Sequence, residues 1–213
     1  KVMGLAGYGE PKYVDELKTI ISLQNNGTFE MDNNYFEFTK GNFEYNWDGG
    51  SPIFRPLYNE KKISSLLNFS PRKSDATIEI FHKNLAASIQ SVYEAILFNS
   101  INFAEKISST KNLCLSGGCA MNSLANGKIY ANSGFENIYI PSSPGDGGGS
   151  IGSALQLYYN NFPKKNHFYL DNAYLGPKYN EDEIEQIISN YKDLNNNIKF
   201  TINKYSEVEL TKE

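Results

Sequence analysis

Leu113-Cys114-Leu115-Ser116-Gly117-Gly118-Cys119-Ala120-Met121-Asn122 and Pro144-Gly145-Asp146-Gly147-Gly148-Gly149-Ser150-Ile151-Gly152 are the two stretches on which the fold turns. A short apolar run precedes each: residues 112–116 before the first, Ile138-Tyr139-Ile140 before the second. Such runs, bounded by turn residues, read as strands. Helical patterns follow over residues 120–131 and 151–159. Ser133-Gly134 closes the first helix and Pro141 stops the second strand. Strands alternating with helices imply an α/β fold with a parallel or mixed sheet and right-handed crossovers.

Both turns suit a bound anion. Glycine lets backbone come close to a ligand. A helix N-terminus adds unpaired N–H groups and partial positive charge. These crevices lie at the carboxyl ends of strands, where phosphates bind. Gly117, Gly118, Gly145 and Gly147 are therefore candidate nucleotide contacts. Either turn alone reads equally well as a tight connection; two on the same expected edge favour a site. Neither ends in the Lys-Ser/Thr of a P-loop. Gly147, Gly149 and Gly152 match the Gly-x-Gly-x-x-Gly string. They follow the second strand, however, and lack an acidic residue about twenty positions on at a strand end.

Asp146 stands among glycines. At a phosphate loop its carboxylate is better placed to hold a cation than to face phosphate directly. Capping the following helix is the equal alternative. The Asn122 amide suits a ribose or base, or its own helix's first turn. His82, beside Phe81, reads as a satisfied structural histidine rather than a catalyst. His167 reads as solvated, and no catalytic residue is identified.

Upstream, Ile78, Phe81, Leu85, Ile89, Val92, Ile96 and Leu97 predict a long helix over residues 77–108. The chain opens on a glycine-rich loop, Gly4-Leu5-Ala6-Gly7-Tyr8-Gly9. A helix after Pro11 carries Val14, Leu17, Ile20 and Ile21. Residues 27–46 predict an inserted hairpin: Thr28-Phe29-Glu30-Met31 and Tyr35-Phe36-Glu37-Phe38-Thr39 about an Asp32-Asn33-Asn34 turn. Its exposed edge offers a place for a second copy, as in a homodimer. Trp47-Asp48-Gly49-Gly50-Ser51-Pro52 is a loop, and loop character continues to about residue 75. Downstream, Pro163-Lys164-Lys165-Asn166 reads as a linker. Asn180 caps a helix carrying Ile184, Ile187 and Ile188, and residues 198–202 suggest a strand. The material after the linker is too short to close a core.

The chain has 213 residues, room for a domain or a domain and a half. Its net charge of −4 and lack of a basic stripe argue against nucleic acid as a partner. No run has the length of a membrane span. Cys114 and Cys119 read as reduced structural thiols, the second buried, which fits a cytoplasmic setting. Lys1-Val2-Met3-Gly4 reads as the middle of a longer polypeptide.

Five motifs in order resemble one family. They are the stretch from Lys1 to Gly9, His82-Lys83-Asn84-Leu85-Ala86-Ala87-Ser88-Ile89-Gln90, residues 113–127, residues 144–154, and Tyr174-Leu175-Gly176-Pro177-Lys178-Tyr179. The family is that of NodU/CmcH-type O-carbamoyltransferases, whose N-terminal domain is similar to the tRNA threonylcarbamoyladenosine transferase proteins. The resemblance implies an actin/hexokinase-like (ASKHA) second lobe over residues 1–163. It implies a linker and the incomplete start of a C-terminal α+β, YrdC-like domain over residues 164–213. It further implies ATP and carbamoyl phosphate as reactants, a carbamoyl-adenylate intermediate, and a small molecule bearing a hydroxyl as acceptor. A divalent metal, Fe²⁺ or Mg²⁺, would assist, with Asp146 as its ligand. Lys1, Gly9, Gly117, Gly118, Asn122, Gly145 and Gly147 would contact the nucleotide.

Departures from the family pattern are Gly7 in place of proline, Cys119 in place of a small aliphatic residue, and Gly147 at an often acidic position. The family's paired metal-binding histidines have no counterpart, since the chain has no His-x-x-x-His. The chain by itself is therefore expected to be inactive and to need the rest of the same polypeptide. A sugar- or acetate-kinase-like phosphotransferase, or a non-catalytic nucleotide-binding module, would share the glycine turns. The kinase would leave the Tyr174 to Tyr179 motif unexplained.

Overall fold

The computed structural model describes residues 2–38, 46–53, 57–73, 75–163, 170, 172–174 and 176–194. The chain divides into two compact units, Lys1–Lys165 and Asn166–Glu213.

The first unit is built around α4 (Ile80–Ile107), a helix of 28 residues. At 1.5 Å per residue it runs about 42 Å. Both ends fall close to the expected ones, except that Ile78 lies before the helix and is exposed. α1 (Val2–Ala6) and α2 (Val14–Ile20) pack against α4. The opening residues are thus helical where a glycine loop was expected, because Leu5 and Ala6 find cover against Ala86 and Ala87.

The segment after α1 is tied down by polar groups on the buried face of α4. Asn84 accepts from the Glu10 N–H at 2.8 Å. Ser88 accepts from the Tyr13 N–H at 2.9 Å. Asn84 and Ser88 are four residues apart, so they lie one above the other on the helix.

The expected hairpin is not formed. β2 (Phe29–Met31) pairs antiparallel with β1 (Ile21–Leu23), in register Ile21 to Met31. Gly27 makes the tight connection with φ +78. Phe36 instead bridges to Tyr58; Thr39 lies outside the described residues. The edge read for a second copy therefore belongs to a different pairing. β3 (Asn46–Asp48) and β4 (Ser51–Ile53) form a hairpin where a loop was expected. Its turn residues, Gly49 and Gly50, both have positive φ, the condition for the turn that suits strand twist. α3 (Glu60–Leu67) also falls in the expected loop. Asn59 caps it by accepting from the Lys62 N–H, and Asn68 ends it in the left-handed region.

β5 (Asn112–Cys114) and β6 (Asn137–Tyr139) are parallel, with Leu113 opposite Ile138, as the sequence pattern required. They rest on the C-terminal half of α4. Ile101, Ile129 and Phe135 are buried together, with Leu97, Leu113, Leu115, Ile138 and Ile140 packed around them. The helix expected over residues 120–131 is broken into a 3₁₀ turn (Gly118–Met121), α5 (Ser123–Asn126) and α6 (Ile129–Asn132). The break comes at Asn122, whose side chain caps α5 rather than letting the 3₁₀ turn run on. α7 (Gly148–Asn161) follows the second glycine turn and has no buried residue.

In the second unit the described helix is α8 (Glu181–Leu194). Asn180 accepts from the Glu183 N–H at 2.9 Å, and the Glu183 carboxylate accepts from the Asn180 N–H at 2.8 Å. This reciprocal pair is a capping box, and three acidic residues in the first turn complement the helix dipole. His167 and the strand expected over 198–202 lie outside the described residues.

Among the described residues no helix is long and apolar enough to cross a membrane.

Candidate functional site at the paired glycine turns

The two glycine turns are joined. The Gly117 N–H donates to the Pro144 carbonyl at 2.7 Å. Gly117 has φ +94, a conformation that favours glycine. A Cβ on Gly145 would meet Met121 Sδ at 3.3 Å and Gly118 Cα at 3.8 Å. These contacts bring Gly117, Gly118, Gly145, Asp146 and Gly147 onto one patch past the ends of β5 and β6, half-buried at Gly145 and exposed at the other four. A Cβ on Gly118 would meet nothing within 4 Å, so that side of the turn is open. Among the described residues the N–H groups of Gly145, Asp146 and Gly147 have no acceptor.

Asp146 is exposed in this patch. The N-cap of α7 is Gly147, with no side-chain cap, so Asp146 does not play the capping role that was its alternative. Its carbonyl accepts from the Gly149 N–H at 3.0 Å, which closes the turn through backbone and leaves the carboxylate out of it. Among the described residues no group of three His, Cys, Asp or Glu is placed to hold a metal ion. Asp146 would therefore need ligands from outside the described residues to complete a metal site.

Asn122 is held from two sides. Its Oδ1 accepts from the Ala125 N–H at 3.0 Å and from Gln90 Nε2 at 3.1 Å. Its Nδ2 donates to Gln90 Oε1 at 2.9 Å. Gln90 is buried and also donates to Glu94, which pairs with Lys128 at 2.7 Å. A relay of polar groups therefore connects α4 to the first turn, and it fixes which way the Asn122 amide faces. The other N–H of Nδ2 has no acceptor among the described residues.

Tyr93 donates to the Cys119 carbonyl at 2.9 Å and joins α4 to the same turn. Burial, and then the negative charge of an ionised Cys119, push the Tyr93 hydroxyl above its ordinary value. Cys114 and Cys119 are free thiols and both are exposed, so Cys119 is not the buried group expected.

Gly9 lies elsewhere. It packs on α4 where a Cβ would stand 2.6 Å from Asn84 N and closer to the Lys83 carbonyl. Gln90 is six residues further along the helix, about 9 Å of rise. Close packing accounts for glycine at this position. Lys1 lies outside the described residues. The Asn84, Ser88 and Gln90 roles were missed in sequence, although polar residues spaced along the apolar side of a long helix were the signal.

Residues 1–155 match the family model for the carbamoyltransferase N-terminus. The chain belongs to that family. An uncharacterized protein of Synechocystis sp. is 34% identical over 198 residues, covering 87% of this chain and 29% of that protein. Nodulation protein NolO of Bradyrhizobium diazoefficiens is 27% identical, over 74% of this chain and 24% of its own length. Nodulation protein NolNO of Sinorhizobium fredii is 27% identical, over 87% and 24%. This carbamoyltransferase N-terminal chain of the NodU type thus spans 24–29% of the length of these three relatives. The matched residues include both glycine turns and the α4 residues that brace the first.

Proposed function

We propose that this chain forms part of the nucleotide site of an ATP-dependent O-carbamoyltransferase. Its first 163 residues would be the second lobe of an actin/hexokinase-like domain. Residues 164–213 would be a linker and the start of a YrdC-like domain. The observation that carries the reading is the hydrogen-bonded pair of glycine turns inside the family match.

Open backbone N–H groups past the ends of two parallel strands suit the phosphate of a nucleotide. In this reading Gly117, Gly118, Gly145 and Gly147 shape the patch. The remaining N–H of Asn122 reaches the nucleoside, and its direction is set by Gln90. Lys1 would add a nucleotide contact from the opening segment, which Gly9 lets lie close on α4. Carbamoyl phosphate would lose inorganic phosphate to leave carbamate, whose oxygen would attack the α-phosphate of ATP to give carbamoyl-adenylate and pyrophosphate; a hydroxyl of a small molecule would then take the carbamoyl group and release AMP. Asp146 would give one carboxylate to a divalent cation, Fe²⁺ or Mg²⁺. The other ligands, and the groups that perform the transfer, would come from the rest of the longer polypeptide in the cytoplasm.

Calorimetric titration with ATP and with AMP, with Mg²⁺ or Fe²⁺ present, tests this. Saturable binding is expected, weakened by Asp146→Ala only when metal is present. No binding by this chain, followed by none when the neighbouring segments of the reading frame are restored, sinks it.

A further inference from the structure

An asparagine amide has an oxygen with two lone pairs and a nitrogen with two N–H groups. At Asn122 both lone pairs are taken, by the Ala125 N–H at 3.0 Å and by Gln90 Nε2 at 3.1 Å. One N–H is taken by Gln90 Oε1 at 2.9 Å, and the other has no acceptor among the described residues. Asn122 therefore offers a ligand a donor and no acceptor. Turning the amide over would set its NH₂ against two other donors.

Gln90 cannot turn over to compensate. It is buried, and its second N–H goes to Glu94 Oε1 at 3.0 Å. An ionised carboxylate accepts only. Gln90 and Glu94 are four residues apart on α4, so they lie one above the other. Both Glu94 oxygens accept from Lys128 Nζ at 2.7 Å, and Lys128 is exposed between α5 and α6. Every link is thus one-way, from an ion pair at the rim of α4 to the spare N–H beside the first glycine turn. A donor held ready in this manner binds without the cost of being ordered at that moment.

We propose that Gln90 is a positioning residue for nucleotide binding and that Glu94 and Lys128 act through it. The ion pair keeps the Asn122 amide turned so that its spare N–H meets an acceptor of the nucleoside, a base ring nitrogen or a ribose oxygen. This rests on the nucleotide reading of the glycine turns and concerns the nucleoside end of the ligand, not its phosphates.

ATP and inorganic tripolyphosphate share a phosphate chain, with and without a nucleoside, and serve as the probes. Both are titrated calorimetrically, with Mg²⁺, into the polypeptide with its neighbouring segments restored. Gln90→Leu should weaken ATP about fivefold, the worth of one net hydrogen bond, and leave tripolyphosphate as in wild type. Glu94→Leu should give a smaller loss of the same kind. Asn122→Ser keeps a helix-capping oxygen but removes the amide. It should weaken ATP as Gln90→Leu does, and combining the two should add nothing. Glu94→Leu leaves the amide pair intact, so it carries the test if Gln90→Leu fails to fold. Equal weakening of both probes would make Gln90 a brace of the fold and overturn the proposal. Unchanged ATP affinity in the α4 variants, or additive losses in the double variant, overturns it too. A wild-type protein that binds ATP no more tightly than tripolyphosphate overturns this inference alone. One that binds neither sinks the nucleotide reading and the inference with it.

Discussion

Replacing Gly9 by alanine presses a methyl group into the backbone of α4. The new Cβ would stand 2.6 Å from Asn84 N and closer still to the Lys83 carbonyl. These are main-chain atoms of a 28-residue helix, so they cannot swing aside as a side-chain tip would. The chain after Gly9 is tied to the same part of α4 through Asn84 and Ser88, at 2.8 and 2.9 Å. Relief of the clash must therefore stretch at least one of those bonds. Overpacking against unyielding atoms costs about 2 kcal/mol. For a chain of this size that lowers Tm by about 4–8 °C. Gly7→Ala is the control, because a Cβ there would meet nothing within 4 Å. It should stay within about 0.5 kcal/mol of wild type. Thermal and urea melts followed by circular dichroism measure both. A Gly9→Ala protein that melts with wild type, or a Gly7→Ala protein that falls as far, refutes the packing account of this glycine.

Gln90→Leu keeps the volume of the side chain but removes the amide that faces Asn122 and Glu94. Leaving those partners unmatched should cost about 1–3 kcal/mol, read as a lower urea midpoint; an unchanged midpoint would deny the relay its structural role. Glu105 accepts from the Gly134 N–H at 2.8 Å and from Lys111 at 3.1 Å. The Gly134 N–H first, and then Lys111, hold its carboxyl below the usual range. A depressed folded value means the contribution is whole above the ordinary glutamate range and is lost as pH falls through the lowered one. Glu105→Gln should therefore flatten the acid side of the stability profile slightly, since the pair is exposed to solvent. An acid limb parallel to wild type would count against it.

Periodicity served well where elements are long or buried. The seven apolar positions, six of which fall in α4, and the runs before the two glycine turns were enough to place the helix and a parallel pair. It served poorly where three-residue strands and short helices gain their shape from neighbours. Ile20 and Ile21 fit a helical face, yet the helix ends at Ile20 and Ile21 opens β1. α3 carries few apolar residues, Ile63, Leu66 and Leu67, and a loop reading was natural until Asn59 and Asn68 are seen closing its ends. The opening glycines hid a helix because its cover comes from Ala86 and Ala87, far along the chain. At the site, the glycines were legible because the turns themselves demand them. The internal engagement of Asn122 was not, since its partner Gln90 is 32 residues away.

α7 has 14 residues and none of them is buried, whereas α4 holds seven buried side chains. Two helices of one unit thus differ in what resists their opening. Amides in the middle of α4 are released to solvent only when the unit unfolds as a whole. Those of α7 need only the helix to lift and fray, a local event of small free energy. In deuterated water α7 should fill with label early while α4 stays dark. Anything that settles onto the helix and covers Leu155 and Leu157 would announce itself as a slowing of that exchange.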